Sequence, residues 1–337
     1  MKPSITAPLA IAAVFLATSA GANDSTAELG AGGLQLTKSA AIEMRSEDLY
    51  ISAKAVRVHY RFANTSGRDV TVTVAFPMPD ITTHGFDDNI SVPTQDPVNI
   101  LGFATLVDGK PVAAKVEQKA VQGGVDRTAL LRQLGVPLAP HLASTDAALD
   151  KLPQAARDQL VKLGLAVVDE YGDSTTTMQK HWEATWTLKT TYYWTQVFPA
   201  GRELDVQHSY QPAVGESAGT MWGSAQFAKD PTFAAQRAKY CVDADLLATL
   251  GKAVKPPQDA PPYFEQRIDY ILTSGANWKT PIGAFHMTID KGDAANLVSF
   301  CGTGVRKTSP TTFEVDYANF TPRTDVAVLI LAPQTNP

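Results

Sequence analysis

The sequence predicts a mainly β protein, all-β apart from a helical insert, built as two antiparallel β-sandwich-like regions. Three observations predict this. From Trp182 to Phe198 the chain alternates with a period of two: Trp182, Ala184, Trp186, Leu188, Thr190, Tyr192, Trp194, Gln196 and Phe198 share one face. The other face carries Glu183, Thr185, Thr187, Lys189, Thr191, Tyr193, Thr195 and Val197, so the stretch reads as a half-buried antiparallel strand. Similar short runs recur on both sides of it, separated by turn residues, and no strand–helix–strand alternation of a doubly wound sheet is present. Between 121 and 168 the texture changes to capping residues and spaced leucines, which marks the insert.

The chain has 337 residues, 44% hydrophobic and 19% charged, enough for two cores. Its first residues are read as a signal peptide over 1–22. Lys2 supplies the positive start, Ala7 to Thr18 the apolar segment, and Ala20-Gly21-Ala22 a small-x-small cleavage site. Cleavage is expected after Ala22, with a periplasmic product and no cysteine nearby to take a lipid. No later stretch reaches the ~20 apolar residues of a membrane span. The formal charge is −5, and −6 once Lys2 leaves with the leader. A mildly acidic chain has no electrostatic footprint for nucleic acid. The only cysteines, Cys241 and Cys301, form an even pair, and in an oxidising compartment they are expected to make one structural disulfide.

In chain order, Asn23 to Gly33 is small and polar and reads as an arm. It opens the N-terminal β region, 23–120. Short strand-like pieces follow around Ile42-Glu-Met44 and Leu49-Tyr-Ile51. Val56, Val58, Tyr60 and Phe62 alternate with outward Arg57, His59 and Arg61. The turn Asn64-Thr-Ser-Gly67 and the run Val70 to Phe76 read as the return strand of a hairpin. Asp108-Gly109 between apolar runs predicts a second hairpin. In the insert, Asp126, Thr145 or Asp146, and Pro153 start helical pieces closed by Gly135 and Gly164. The C-terminal β region, 169–337, starts near the aromatic strand, which Phe198-Pro-Ala-Gly201 turns into Leu204 to Tyr210. A short helix from Asp243 to Lys252 precedes strands at 263–273, 284–290, 297–301, 312–317 and 326–331. Arg68-Asp-Val-Thr-Val72 and Arg323-Thr-Asp-Val-Ala-Val328, with Arg202-Glu-Leu-Asp-Val206 as a looser third case, echo one another and read as one hairpin device reused.

Several longer phrases are shared with a known family. Ile42-Glu-Met-Arg-Ser-Glu-Asp-Leu-Tyr-Ile-Ser52, Val74-Ala-Phe-Pro-Met-Pro-Asp80, Thr190-Thr-Tyr-Tyr-Trp-Thr-Gln-Val-Phe-Pro-Ala-Gly201 and Tyr270-Ile-Leu-Thr-Ser-Gly-Ala-Asn-Trp278 carry the likeness. With Asn23-Asp-Ser-Thr-Ala-Glu-Leu29 they resemble domain-of-unknown-function family 4424, exported proteobacterial proteins without a characterised activity. The resemblance spans nearly the whole mature chain. It implies export and carries no catalytic residue.

Chemistry has few footholds. Gly215-Glu-Ser-Ala-Gly219 matches G-x-S-x-G, with Asp269 and His286 following in the order an α/β-hydrolase would use. Pro212 breaks the strand such an elbow needs, so a loop is the expected reading of Ser217. The six histidines are scattered, and His84-Gly-Phe-Asp-Asp-Asn89 lacks calcium-loop spacing, so no metal and no other cofactor is expected. The aromatic face of 182–198 is expected to be core, and Tyr193, opposite, the more exposed ring. A glycan platform on that strand is the alternative. Arg57, His59 and Arg61 form a basic outward stripe able to hold an anionic group. The expectation is an exported cell-envelope protein that binds a ligand or partner without catalysis, with a Ser217 hydrolase as the other alternative.

Overall fold

A computed structural model describes residues 23–30, 33–83, 89–172, 178–225, 227, 230–255 and 258–334. The expected leader, 1–22, and most of the His84 loop lie outside them. The described chain is dominated by strands, with five short α-helices. An eight-stranded sheet runs, edge to edge, through Arg306–Lys307, Thr312–Phe320, Ile282–Asp290, Ile42–Ser52, Val56–Asn64, Glu203–Tyr210, Ala104–Val107 and Lys110–Val112. A six-stranded sheet runs through Val125–Asp126, Lys115–Gln122, Thr187–Phe198, Val70–Pro77, Ser25–Gly30 and Gly33–Thr37. A five-stranded sheet holds Leu297–Phe300, Val326–Pro333, Tyr263–Tyr270, Val214–Ser217 and Ile90–Ser91. Ala166–Tyr171 and Gln179–Ala184 pair separately. The eight-stranded sheet takes strands from both 23–120 and 169–337, so the two β regions interleave.

The expected hairpin of Val56–Phe62 with Val70–Phe76 does not form. Val56–Asn64 lies in the eight-stranded sheet and Val70–Pro77 in the six-stranded one, so Thr65–Asp69 carries the chain across the core. The same holds at Phe198-Pro-Ala-Gly201, which takes the aromatic strand from one sheet to Glu203–Tyr210 in the other. The physical reason is that both strands of each pair bury an apolar face. Placed on opposite sheets, those faces close on one another: Phe62 meets Phe198 at 5.9 Å, and Phe76 meets Tyr210 at 6.0 Å. The aromatic face itself is core, with Trp186, Tyr192 and Trp194 at 0%, 1% and 4% exposure. That removes a glycan platform from this strand. The Asp108-Gly109 hairpin does form, with φ of 48° and 73°, the left-handed pair that a two-residue turn of this kind needs.

One pairing is parallel, Ile282–Asp290 against Ile42–Ser52, and it follows a bulge between Met44 and Ser46. The bulge turns the Arg45 carbonyl toward Gly283, where an added Cβ would lie 2.5 Å from that oxygen. Gly283→Ala is therefore expected to cost about 1–3 kcal/mol through overpacking against backbone. A urea midpoint unchanged by this substitution would show that the strand shifts freely.

Helices Thr128–Gln133, Ala143–Asp150 and Gln154–Lys162 occupy the insert and contribute Leu131, Leu149 and Leu160 to the shared core. Helix Pro231–Lys239 was not legible in its Gly- and Ala-rich surroundings; Asp230 caps it by accepting from Thr232 N at 2.7 Å. Ala244–Ala253 starts as expected at Asp243, whose side chain accepts from Leu246 N at 2.7 Å. The echoed motifs share a different device from a hairpin. Asp69 accepts from Ala200 N at 2.9 Å, and Asp325 from Leu272 N and Thr273 N, each at 3.0 Å, so each aspartate caps a distant turn.

Asn23 to Gly33 is no arm. Asn23, Asp24 and Ser25 are each 0% exposed, and Ser25–Gly30 pairs within the six-stranded sheet. Much of their polarity, though not Asn23 Oδ1 or Asp24 Oδ2, is satisfied inside by the described residues. Ser274 Oγ donates to Asn23 O at 2.6 Å, Trp278 Nε1 to Asp24 O at 2.7 Å, and Asn23 Nδ2 to Glu47 Oε2 at 2.8 Å. Asp24 meets His208 Nε2 at 3.1 Å, and Thr105 meets the other ring nitrogen at 3.1 Å.

Candidate functional site

The outward face of the eight-stranded sheet is polar because period-two alternation sends Val58, Tyr60 and His208 inward and their neighbours out. Register then decides which outward residues meet. Asp48 lies opposite His59 on one side and, through the parallel pairing, opposite His286 on the other. Gln207 continues the row beyond His59, and Asp316 beyond His286. The next row reads Ser209, Arg57, Tyr50 and Thr288. These two rows, apart from Asp316, floor an open groove of about 560 Å³.

Each ring in the groove is held from behind. His59 Nε2 contacts Asp205, to which Gln207 Nε2 also donates at 2.9 Å. Partial burial works against the Asp205 charge, but the bonds from His59 and Gln207 prevail and hold its carboxyl below the usual range. His286 Nδ1 meets Asp316 at 2.7 Å and its Nε2 meets Thr288 Oγ1 at 3.2 Å. Hydrogen bonds from His286 and then Arg306 hold the Asp316 carboxyl low. Tyr50 donates to Asp290 Oδ2 at 2.9 Å, which fixes its ring.

Arg57 stands apart. Its guanidinium carbon sits 3.9 Å from the Tyr50 ring centroid, a cation–π stack. Among the described residues it makes no salt bridge, whereas its stripe neighbour Arg61 is engaged by Glu203 at 2.7 Å and does not line the groove. Its charge helps to hold the nearby Asp290 carboxyl low, but with no direct ion pair among the described residues its planar N–H fork can still take a carboxylate or phosphate. The groove can therefore offer a small anion the Arg57 fork with His59 beside it on the same strand, while Asp48 separates His59 from His286.

The hydrolase residues are not brought together. Ser217 pairs opposite Glu265 on the five-stranded sheet, and its hydroxyl donates to the Gly219 carbonyl. Asp269 lies four residues further along that neighbouring strand and binds Lys239 at 3.0 Å. His286 is in the eight-stranded sheet with Asp316 as its partner. Tyr193 is half-buried on the six-stranded sheet, remote in topology from the groove. Among the described residues no group of three or more His, Cys, Asp or Glu side chains could hold a metal ion. Cys241 and Cys301 are bonded as expected. Reading residue by residue found Arg57, His59 and His286 separately. It missed Asp48, Tyr50, Gln207 and Thr288, whose placement depends on strand pairing between distant segments.

Residues 22–329 match the model of a protein family described as a domain of unknown function, DUF4424. No curated protein matches the chain. A crystal structure from Legionella pneumophila, named a "putative nutrient binding protein", is similar at a TM-score of 0.46 and 14% identity, covering 93% of this chain and 70% of that one. A mutant M1 zinc metallopeptidase from Deinococcus radiodurans, bound to a Tyr-Ser-Ala substrate, reaches a TM-score of 0.21 at 12% identity, over 90% of this chain and 45% of its own. Neither likeness is close enough to carry function.

Proposed function

The chain belongs to the DUF4424 family, and we propose that it is an exported cell-envelope protein that binds a small anionic ligand in the groove of its eight-stranded sheet, without catalysis. The observation that carries the reading is Arg57: a guanidinium stacked on Tyr50, free of any salt bridge among the described residues, in the row next to the one in which Asp48 separates His59 and His286, each histidine held by a carboxylate. A guanidinium fixed before the ligand arrives loses less freedom on binding, which is the general source of affinity in a preorganised site. The address rests on Lys2, the apolar run to Thr18 and Ala20-Gly21-Ala22.

Calorimetric titration of the mature protein with small mono- and dicarboxylates and with phosphate esters tests the site. At least one class is expected to bind, and Arg57→Ala to weaken it about tenfold to a hundredfold, the value of a charge-assisted pair. Arg57→Lys keeps the charge but not the fork and should fall between. Arg61→Ala should bind as wild type does. Equal affinity in wild type and Arg57→Ala, or flat titrations with every anion, would remove the groove from consideration.

A further inference from the structure

We infer that cleavage between Ala22 and Asn23 creates a structural cation: the new α-amino group of Asn23 stays in the core and neutralises the buried carboxylates of Glu47 and Asp24. This rests on the export reading above and goes beyond it, from a discarded leader to a group the fold uses. Water is the co-reactant, and a signal-peptide endopeptidase of the exporting cell is the catalyst. The water hydroxyl goes to the Ala22 carbonyl carbon and its proton to the Asn23 nitrogen, which takes a second proton from solvent.

The interior around Asn23 is short of positive charge. Asp24 and Glu47 are 0% and 1% exposed. Asp24 has His208 as its partner, while among the described residues Glu47 is reached by neutral donors, Asn23 Nδ2 at 2.8 Å and the Tyr270 hydroxyl at 3.5 Å. Tyr60, the next group out, bonds Tyr270 at 3.2 Å and adds no charge. A buried carboxylate without a cation is among the costlier things a core can hold. Acceptors are also left over: Asp24 Oδ2 and Asn23 Oδ1 have no hydrogen-bond partner among the described residues.

The Asn23 nitrogen is already at this place. It donates to Ser274 Oγ, and the side chain of the same residue holds Glu47, a few bonds away. As a peptide N–H it offers one hydrogen and no charge. As an ammonium it offers three hydrogens and a full positive charge to a neighbourhood that lacks both. The site is closely walled, since a Cβ on Gly275 would lie 2.6 Å from Asn23 Nδ2. Burial first, and then the Asp24 charge, push the Glu47 carboxyl up to about 8, against the bonds from Asn23 and Tyr270. A carboxyl raised in this way favours the fold while protonated, and that contribution fades as pH climbs from its ordinary value near 4.5 toward 8. The facing groups that enter this balance are Asp24, His208, Tyr60 and Tyr270. An ammonium beside Glu47 removes the loss.

The test compares two full mature chains: one beginning at Asn23, released from a fusion that leaves no extra residue, and one extended by a single alanine. The authentic chain is expected to melt higher at pH 7–8, with the gap closing toward pH 5 and much smaller in Glu47→Gln, where only the Asp24 share is left. Independently of any variant, its α-amine should react with cyanate about tenfold or more slowly in the native state than in urea. Equal melting of the two chains, or an α-amine as reactive folded as unfolded, would overturn the ammonium role and leave export standing. Intact mass of the protein from its own cells separates the other failure. An uncut chain would sink export, and a cut elsewhere than Ala22–Asn23 would sink only this inference.

Discussion

Trp186→Ala is expected to lower the unfolding free energy by about 3–5 kcal/mol, the range for removing a large ring from a closed core. Trp186 is 0% exposed and sits where the chain leaves the strand Gln179–Ala184 for Thr187–Phe198. Its Nε1 donates to the Leu138 carbonyl at 2.8 Å, so the ring pins the helical insert to the six-stranded sheet. Thr185 adds a neighbouring anchor, its hydroxyl donating to the Gly164 carbonyl at 2.6 Å. Truncation leaves a cavity and an unpaired buried carbonyl together. Trp186→Phe keeps most of the volume and separates the two, with about 1 kcal/mol expected for the lost bond. Urea unfolding followed by tryptophan fluorescence and by far-ultraviolet dichroism measures both. A loss under about 1 kcal/mol for Trp186→Ala would mean that the insert packs loosely and the pin is not one.

Opening the Cys241–Cys301 bridge is expected to cost roughly 4 kcal/mol, the chain-entropy value for a sequence separation of 60. The bridge joins the end of helix Pro231–Lys239 to the edge strand Leu297–Phe300, over a small satellite core of Trp222, Tyr240, Val242, Leu250, Leu329 and Leu331. Ser299 Oγ donates to the Tyr240 carbonyl at 2.9 Å beside it. That core is too small to hold its two helices unaided, so loss of the bridge should loosen residues 231–253 first. Hydrogen exchange of Cys301→Ser should show faster exchange there and unchanged exchange across Val56–Asn64. Uniform acceleration through both regions would mean that the satellite core and the main core unfold as one unit.

Alternation made the longer strands legible, because a period of two states which side chains face inward, but it missed Ser25–Gly30, Ala166–Tyr171 and Val214–Ser217 and joined Gln179–Ala184 to Thr187–Phe198, which lie in separate sheets. It does not state which sheet receives them. Val56–Phe62 and Val70–Phe76 satisfy a hairpin and a crossing equally in sequence, and only the demand to close two apolar faces on each other selects the crossing. The groove was half legible for the same reason. Arg57 and His59 share a strand and could be read together. His286 and Asp48 come from strands more than two hundred residues apart, joined by a parallel pairing that follows a bulge at Arg45. Asn23 to Ser25 misled in the opposite direction. Small polar residues near a chain end usually stay in water, whereas here Ser274, Trp278, Glu47 and His208 bond several of their polar groups inside. The family phrases identified the family and were silent on this chemistry.

The groove's claim to a ligand is tested most directly by native mass spectrometry of the protein taken gently from the cells that make it, wild type beside Arg57→Ala. The expected result is a small additional mass on the wild type that is lost on denaturation and absent from the variant. A bare wild-type chain, or the same added mass retained by both proteins, would contradict the assignment.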